Sequence, residues 1–311
     1  MYFPAGALLG YSPILTKPFL VWCLLSTIWG STWLGIKIGV QDLPPLTFAG
    51  LRFLLAAVVL AVALRVTGRT FPRKREDLAL IAVTGSIIIS LQYGLIFWAE
   101  VFIPSGLTAI LYTILPLAGM VFAHVMVPGE RLSVTKVLGV VLGIAGVALV
   151  FAGELRVETA DAWLACFGVL FAAVTSSWAG VFIKARGRHL DALGLTVGQM
   201  SFGCIPLLAL GIVREGSPFR YHWTLSAGLA LLYLALAGSA LAFVLLYWLI
   251  KRMDVTKTQL IPLASTIVAV FLGWLVLGER LSGVALLGAA AILVGLAVTR
   301  IGFLRAATLK A

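Results

Sequence analysis

What most constrains this chain is a succession of apolar runs, each long enough to cross a lipid bilayer. A helix rises about 1.5 Å per residue, so roughly 20 apolar residues span the hydrocarbon layer. Runs of that kind lie near 20–39, 45–67, 78–99, 104–126 and 133–152. A second set lies near 161–183, 192–213, 224–250, 257–278 and 283–304. A soluble core has no use for so many, and the short connections leave no room for a soluble domain between them. The expectation is an all-α membrane protein of ten transmembrane helices.

Composition agrees. Hydrophobic residues fill 61% of the 311 positions and charged residues 11%. A soluble domain of this length carries about a quarter charged residues to keep its surface wet. Lipid tails remove that need. The net charge of +11 does not point to nucleic acid, because the basic residues sit in short loops between apolar runs, as topology control requires.

With the N-terminus in the cytoplasm and ten spans, the cytoplasmic segments hold Lys17, Arg65, Arg69, Arg73, Lys74, Arg75, Arg131, Lys136, Lys184, Arg186, Arg188, Lys251, Arg252, Lys257, Arg300, Arg305 and Lys310, 17 of the 23 basic residues. Lys37, Arg52, Arg156, Arg214, Arg220 and Arg280 fall outside. That split obeys the positive-inside rule, and an odd number of spans would spoil it. Both termini are therefore expected in the cytoplasm of a cell with the chain in its inner (plasma) membrane. Cys23, Cys166 and Cys204 lie inside apolar runs, so they read as packing residues and not as a disulfide framework. The opening residues lack the charged region and cleavage site of a secretory signal, so the first span reads as a retained anchor.

The halves repeat. From Gly129, GERLSVTKVLGVVLGIAGVAL falls on GERLSGVALLGAAAILVGLAV from Gly278, an offset of 149 residues. Five consecutive identities, Glu and Arg among them, open the match; Leu138, Gly139, Gly146 and Ala148 then meet Leu287, Gly288, Gly295 and Ala297. Each copy holds five spans, an odd number, so the second enters the membrane from the opposite side. Two related inverted halves, 17–152 and 158–304, can exchange inward-open and outward-open shapes.

IWGSTWLGIKIG in the first span, LPPLTFAGLRFLLAA leading into the second, IPSGLTAILYTILPL around the fourth and the two GERLS junctions, in this order, resemble the drug/metabolite transporter superfamily, in the branch with two EamA-type domains. The resemblance covers 20–304. It implies two inverted five-helix repeats, a central cavity, and secondary transport, commonly export, of small metabolites such as amino acids. It also places a lysine and an arginine at Lys37 and Arg52. The second copy departs from the first in one respect. Pro116 lies 14 residues before Glu130, but Pro262 lies 17 before Glu279, with Ser265 at the corresponding position. Symmetric pocket residues are therefore not assumed there.

Charge inside a bilayer is expensive, so buried ionisable groups come first. Arg52, about two turns into the second span, suits a substrate carboxylate through its bidentate fork, against a packing or carbonyl-capping role. Lys37, in the last turn of the first span, reads more readily as an interface anchor. Glu100 closes the third span and is a candidate for proton coupling, against pairing with Arg52 or interfacial exposure. His124, near the inner end of the fourth, is the other coupling candidate, against a hydrogen bond across helices.

The candidate substrate-binding residues are Trp29, Trp33, Arg52, Gln92, Tyr93, Tyr112, Trp178, Gln199 and Ser265, joined by Thr113, Thr175, Ser176, Ser177 and Ser239 as mid-depth polar groups. Rings with a polar handle suit an amphipathic solute. Against that stand the interfacial aromatic belt and hydroxyls bonded to their own backbone. Paired glycines such as Gly139 and Gly143 read as close helix approaches, and Pro104, Pro116, Pro206 and Pro262 as kinks. The glutamates and arginines of the GERLS junctions read as helix caps.

No P-loop, HExxH, metal-spaced Cys/His cluster or GxSxG elbow occurs, so no cofactor, metal or enzymatic activity is expected. The reading is a secondary exporter working by alternating access, monomeric by default, with a small-molecule substrate and the bilayer as partners. The rivals are a sugar or nucleotide-sugar exchanger, which would want several cavity cations, and a membrane sensor that binds without flux.

Overall fold

A computed structural model describes residues 17–128, 134–153, 159–250, 252 and 261–308. The described residues form helices joined by turns and short connections, with no strand among them. The helices are α1 (Lys17–Gly39), α2 (Pro45–Val66), α3 (Arg75–Phe102), α4 (Ser105–Met126), α5 (Val134–Gly153), α6 (Ala160–Arg186) and α7 (Ala192–Glu215). They continue with α8 (Leu225–Ala235, a π turn at Leu236–Leu241, then Ala242–Ile250), α9 (Ile261–Leu277) and α10 (Gly283–Thr308).

Seven of these are long and apolar enough to cross a membrane: α1, α2, α3, α4, α6, α7 and the Leu225–Leu246 portion of α8. The described parts of α5, α9 and α10 carry shorter apolar stretches, Val137–Val150, Ala264–Leu277 and Gly283–Gly295. Large apolar side chains such as Val62, Val141, Phe171, Ile205, Phe271 and Leu287 are exposed, while alanines at 49, 56, 165, 172 and 173 are buried. Small residues inside and large apolar ones outside is the arrangement of helices solvated by lipid. The chain is a multi-pass membrane protein.

The helices lie on the expected apolar runs over their described parts, with α1, α3, α6 and α10 reaching three or four residues beyond. The first GERLS copy, 129–133, with Glu130 and Arg131, lies outside the described residues, as do 253–260 ahead of α9.

Helix ends are tied across the bundle. α2 opens with Pro44 extended and Pro45 in the first turn, where a missing N–H costs nothing. Its free amides are met by Glu215 at the end of α7, whose carboxylate accepts from Leu46 N (2.9 Å) and Thr47 N (2.8 Å). At the other end Asp191 caps α7, accepting from Leu193 N and Gly194 N, and pairs with Arg69 just beyond α2 at 2.9 Å. The antiparallel α2–α7 pair is thus bonded at both ends. α4 is capped from the α9–α10 junction: Glu279 accepts from Ser105 N (2.8 Å) and Gly106 N (3.1 Å).

α5 and α10 cross backbone to backbone. A Cβ on Gly146 would stand 2.7 Å from Gly288 O, one on Gly288 2.6 Å from Gly146 O, and one on Gly295 2.7 Å from Gly139 O. Only glycine permits this approach. α1 packs on α9, and α4 on α6.

Three interruptions shape the interior. α3 contains a six-residue π turn, Ser86–Leu91, and α8 another, Leu236–Leu241. α4 tightens at Thr113 and Ile114, just before Pro116, where Thr113 N bonds back to Ile110 O and Ile114 N to Leu111 O in place of the regular helical ladder.

Candidate functional site

Arg52 on α2 is 1% exposed. It stays buried because two surfaces receive it. Its Nε donates to Ser239 Oγ at 3.0 Å, from within the α8 π turn. Its guanidinium carbon lies 4.9 Å from the Phe53 ring centre, 5.0 Å from Tyr93 and 5.8 Å from Phe97. Rings around a desolvated guanidinium are each worth about 2 kcal/mol at best. They do not replace hydrogen bonds, and Arg52 Nη1 has no hydrogen-bond partner among the described residues.

Glu100 on α3, one turn beyond Phe97, is 0% exposed, and neither carboxylate oxygen accepts a hydrogen bond among the described residues. The charged groups facing it are Lys37 of α1, Glu279 of the α9–α10 junction and Arg52 of α2. None of them binds it directly. Lys37 Nζ instead donates to the backbone carbonyls of Glu100 and, at 2.9 Å, of Ile103, closing the C-terminal end of α3 where a cation is favoured. Glu279 is taken up by the α4 amides. The direct Glu100–Arg52 pair that the sequence allows is therefore not made. Lys37, which reads from sequence as an interface anchor, is a carbonyl cap.

Toward the middle of the bundle, the α4 break carries the polar residues. Tyr112 ends the first part of α4, and its side chain lies beside Ser176 of α6 and Gln92 of α3. Ser176 Oγ in turn donates to Gln92 Oε1. Trp33 of α1 leans on the Tyr112 ring, centres 5.6 Å apart. Ser177 Oγ donates to Leu115 O beside the break, at 2.8 Å. The Tyr93 ring lies tilted against Phe53, centres 4.6 Å apart, and Trp33, Tyr93 and Tyr112 pack against one apolar cluster. Aromatic wall, hydroxyl network and guanidinium are continuous.

The structure thus brings together Trp33, Arg52, Gln92, Tyr93 and Tyr112, with Glu100 beside them. It does not bring in the rest. Trp29 packs on a separate apolar cluster that includes Leu25, Ile28 and Ala242, and its ring meets the edge of Phe243, which borders the cluster of Trp33 and Tyr112. Trp178 stacks on Phe182 of its own helix. Gln199 Nε2 donates to Thr84 Oγ1 at 2.9 Å and its backbone abuts Gly85, in the α3–α7 contact. Ser265 Oγ bonds its own helix at Pro262 O, while its carbonyl lies against Gly30 of α1. His124 is exposed near the C-terminal end of α4, whose other end lies by Glu100.

Sequence reasoning placed Ser239 at mid-depth without naming its partner. It gave Phe53 and Phe97 no role, and the one hint available was their place a residue or a turn from Arg52 and Glu100. No group of residues suited to a metal ion occurs among the described residues.

The profile of the EamA-like transporter family matches residues 17–152 and again 163–301. The chain belongs to the EamA-like transporter family. It is 30% identical over 285 residues to the "Uncharacterized inner membrane transporter YedA" of Escherichia coli (strain K12), covering 89% of each chain. It is 27% identical to a "Probable amino-acid metabolite efflux pump" of Escherichia coli (strain K12), covering 90% of this chain and 93% of that one. A solved crystal structure shares the fold at 20% identity, with a TM-score of 0.64 over 91% of this chain and 97% of the other. Membership in this family fits the arrangement of the interior, where the polar residues gather at interruptions in apolar helices.

Proposed function

We propose that this member of the EamA-like family exports small amphipathic metabolites, amino-acid-like in size and polarity, by alternating access. The observation that carries the reading is the interrupted α4: Tyr112 at the interruption, beside the Ser176–Gln92 hydrogen bond and faced by Trp33. A helix interrupted at membrane depth is tolerated where it lines a site, and transporters bind substrate at such discontinuities. The relative named an amino-acid metabolite efflux pump supports the direction and the substrate class.

Two inverted five-helix halves, 17–152 and 158–304, would make ten spans with both termini in the cytoplasm. Several features support this. The π turns begin at Ser86 and Leu236, 150 residues apart, close to the offset of the GERLS copies. The glycine contacts are reciprocal: Gly139 meets Gly295, and their counterparts Gly288 and Gly146 meet each other. α1 packs on α9 as α6 packs on α4. Such reciprocity is what a twofold relation produces.

In this reading Trp33, Gln92, Tyr93, Tyr112 and Arg52 contact the solute, and Trp29, Trp178, Gln199 and Ser265 come into play as helices shift. Glu100 and His124 are the groups through which a proton gradient would act. A nucleotide-sugar substrate is disfavoured, since Lys37 is spent on carbonyls and Arg52 is left as the cation of the cluster.

The test is efflux from proteoliposomes loaded with a mixed pool of labelled amino acids and related metabolites, with and without a pH gradient. Saturable, selective efflux that weakens in Trp33→Ala supports the reading. Saturable binding without flux, from folded and inserted protein, would replace it with a sensor.

A further inference from the structure

Two buried ionisable side chains in this protein lack the partners that their charged forms would demand. Arg52 Nη1 and both oxygens of Glu100 have no hydrogen-bond partner among the described residues, at 1% and 0% exposure. A buried ion left without its partner costs several kcal/mol, and neighbouring opposite charges normally remove that cost by pairing. Here each is held back. Arg52 is oriented by Ser239 and by the rings of Phe53, Tyr93 and Phe97. The end of α3 that bears Glu100 is pinned by Lys37. The other charges at hand are already engaged, Lys37 by carbonyls and Glu279 by the α4 amides.

We propose that Arg52 and Glu100 are the two poles of a charge filter, which admits solutes carrying one cationic and one anionic group and closes on them between α2 and α3. This rests on the transporter reading and assigns Glu100 a role in choosing the solute. The chemistry is that of a small zwitterion. Its carboxylate takes the open Nη1 of Arg52, a charge-assisted bond to a planar donor. Its ammonium takes the free Glu100 oxygens. The pair and the solute are each neutral, so no net charge is desolvated. A solute with only the anion pairs with Arg52 but leaves Glu100 facing it unpaired; one with only the cation meets the reverse penalty. The Tyr93–Phe97 wall receives the apolar remainder. Because both poles are shut from the surface, the solute reaches them when the helices part.

The experiment uses the full chain in proteoliposomes and one side chain in charge variants: phenylalanine, N-acetylphenylalanine, phenylalaninamide and N-acetylphenylalaninamide. Wild type is expected to bind or move phenylalanine at least about ten-fold better than either singly charged form. Glu100→Gln should lose at least about ten-fold toward phenylalanine and shift its preference toward the N-acetyl form. Arg52→Gln should shift it toward the amide.

Equal handling of all forms by wild type, or an unchanged zwitterion preference in Glu100→Gln, overturns the filter. So does a Glu100→Gln protein that loses dependence on the pH gradient alone. Should Glu100→Gln fail to fold, Glu100→Asp decides: it keeps the charge and must keep the preference at reduced rate. Wild type that moves no solute from the wider pool defeats the transporter reading itself, which is a different result from flux without charge preference.

Discussion

Lys37 reaches Glu100 without touching its carboxylate. The ammonium of the α1 lysine binds the backbone carbonyls of Glu100 and Ile103, so a residue positioned to neutralise an acid serves as a helix cap instead. Removing it unties the end of α3. Lys37→Met is expected to cost about 1–3 kcal/mol, read as a lower melting temperature in detergent, because buried carbonyls lose a charged donor. The relative handling of zwitterionic and singly charged solutes should change far less than in Glu100→Gln.

Ser239→Ala removes the hydrogen bond that Arg52 Nε makes in the α8 π turn. A second guanidinium nitrogen is then left unpaired in the interior, at a cost of about 1–3 kcal/mol. Efflux should fall with stability. Ser239→Thr, which keeps the hydroxyl, should restore both in part. An unchanged melting curve and flux in Ser239→Ala would show that the rings alone hold the arginine.

Tyr112→Phe keeps the ring against Trp33 and deletes the hydroxyl beside Gln92 and Ser176, which would bond the solute. A lost hydrogen bond of about 1 kcal/mol corresponds to a roughly five-fold weaker apparent affinity. The concentration dependence of efflux measures it. Trp33→Ala, which removes the aromatic face itself, should weaken transport more.

Glu279→Gln should loosen the junction that closes over the start of α4, since a neutral amide accepts less strongly from the Ser105 and Gly106 amides. A cysteine placed at Ser105, in a chain whose Cys23, Cys166 and Cys204 are replaced by alanine, should label faster in the Glu279→Gln background. Equal labelling would show that the cap plays no part in access.

Gly288→Ala should lower the melting temperature by several degrees, because its new methyl meets two backbone atoms, Gly146 O and Val150 N, each at 2.6 Å. Overpacking of that kind costs about 1–3 kcal/mol. Gly180→Ala, with nothing within 4 Å of the added carbon, should be neutral or slightly stabilising.

Helix positions were legible in the sequence because span length and hydropathy are local properties. Arg52 stood out for the same kind of reason, since charge in an apolar run needs a justification on any fold. What Arg52 touches was not legible. Ser239 lies 187 residues away and meets it through the packing of α8 against α2. The π turns left no trace either: SIIISL and LAGSAL contain no proline, and an extra residue per turn is decided by packing.

The Trp29–Trp33 spacing put both rings on one helical face, yet their ring partners lie on different helices, Phe243 of α8 and Tyr112 of α4. Ser265 shows the reverse limit, a polar residue at the right depth whose hydroxyl is satisfied within its own helix.

The glycine seam between α5 and α10 constrains how this chain can have diverged from its relatives. The contacting glycines are spaced from 139 to 146 in one helix and from 288 to 295 in the other, seven residues each. That is two helical turns, the interval at which one stripe of a helix keeps facing its partner. A side chain gained on either stripe strikes the peptide backbone opposite, which no rotamer change relieves. Neither half can therefore drift alone: a chimera joining the first half of this chain to the second half of a family member folds as one body when the incoming helix carries small residues in the same register, and splays where it does not.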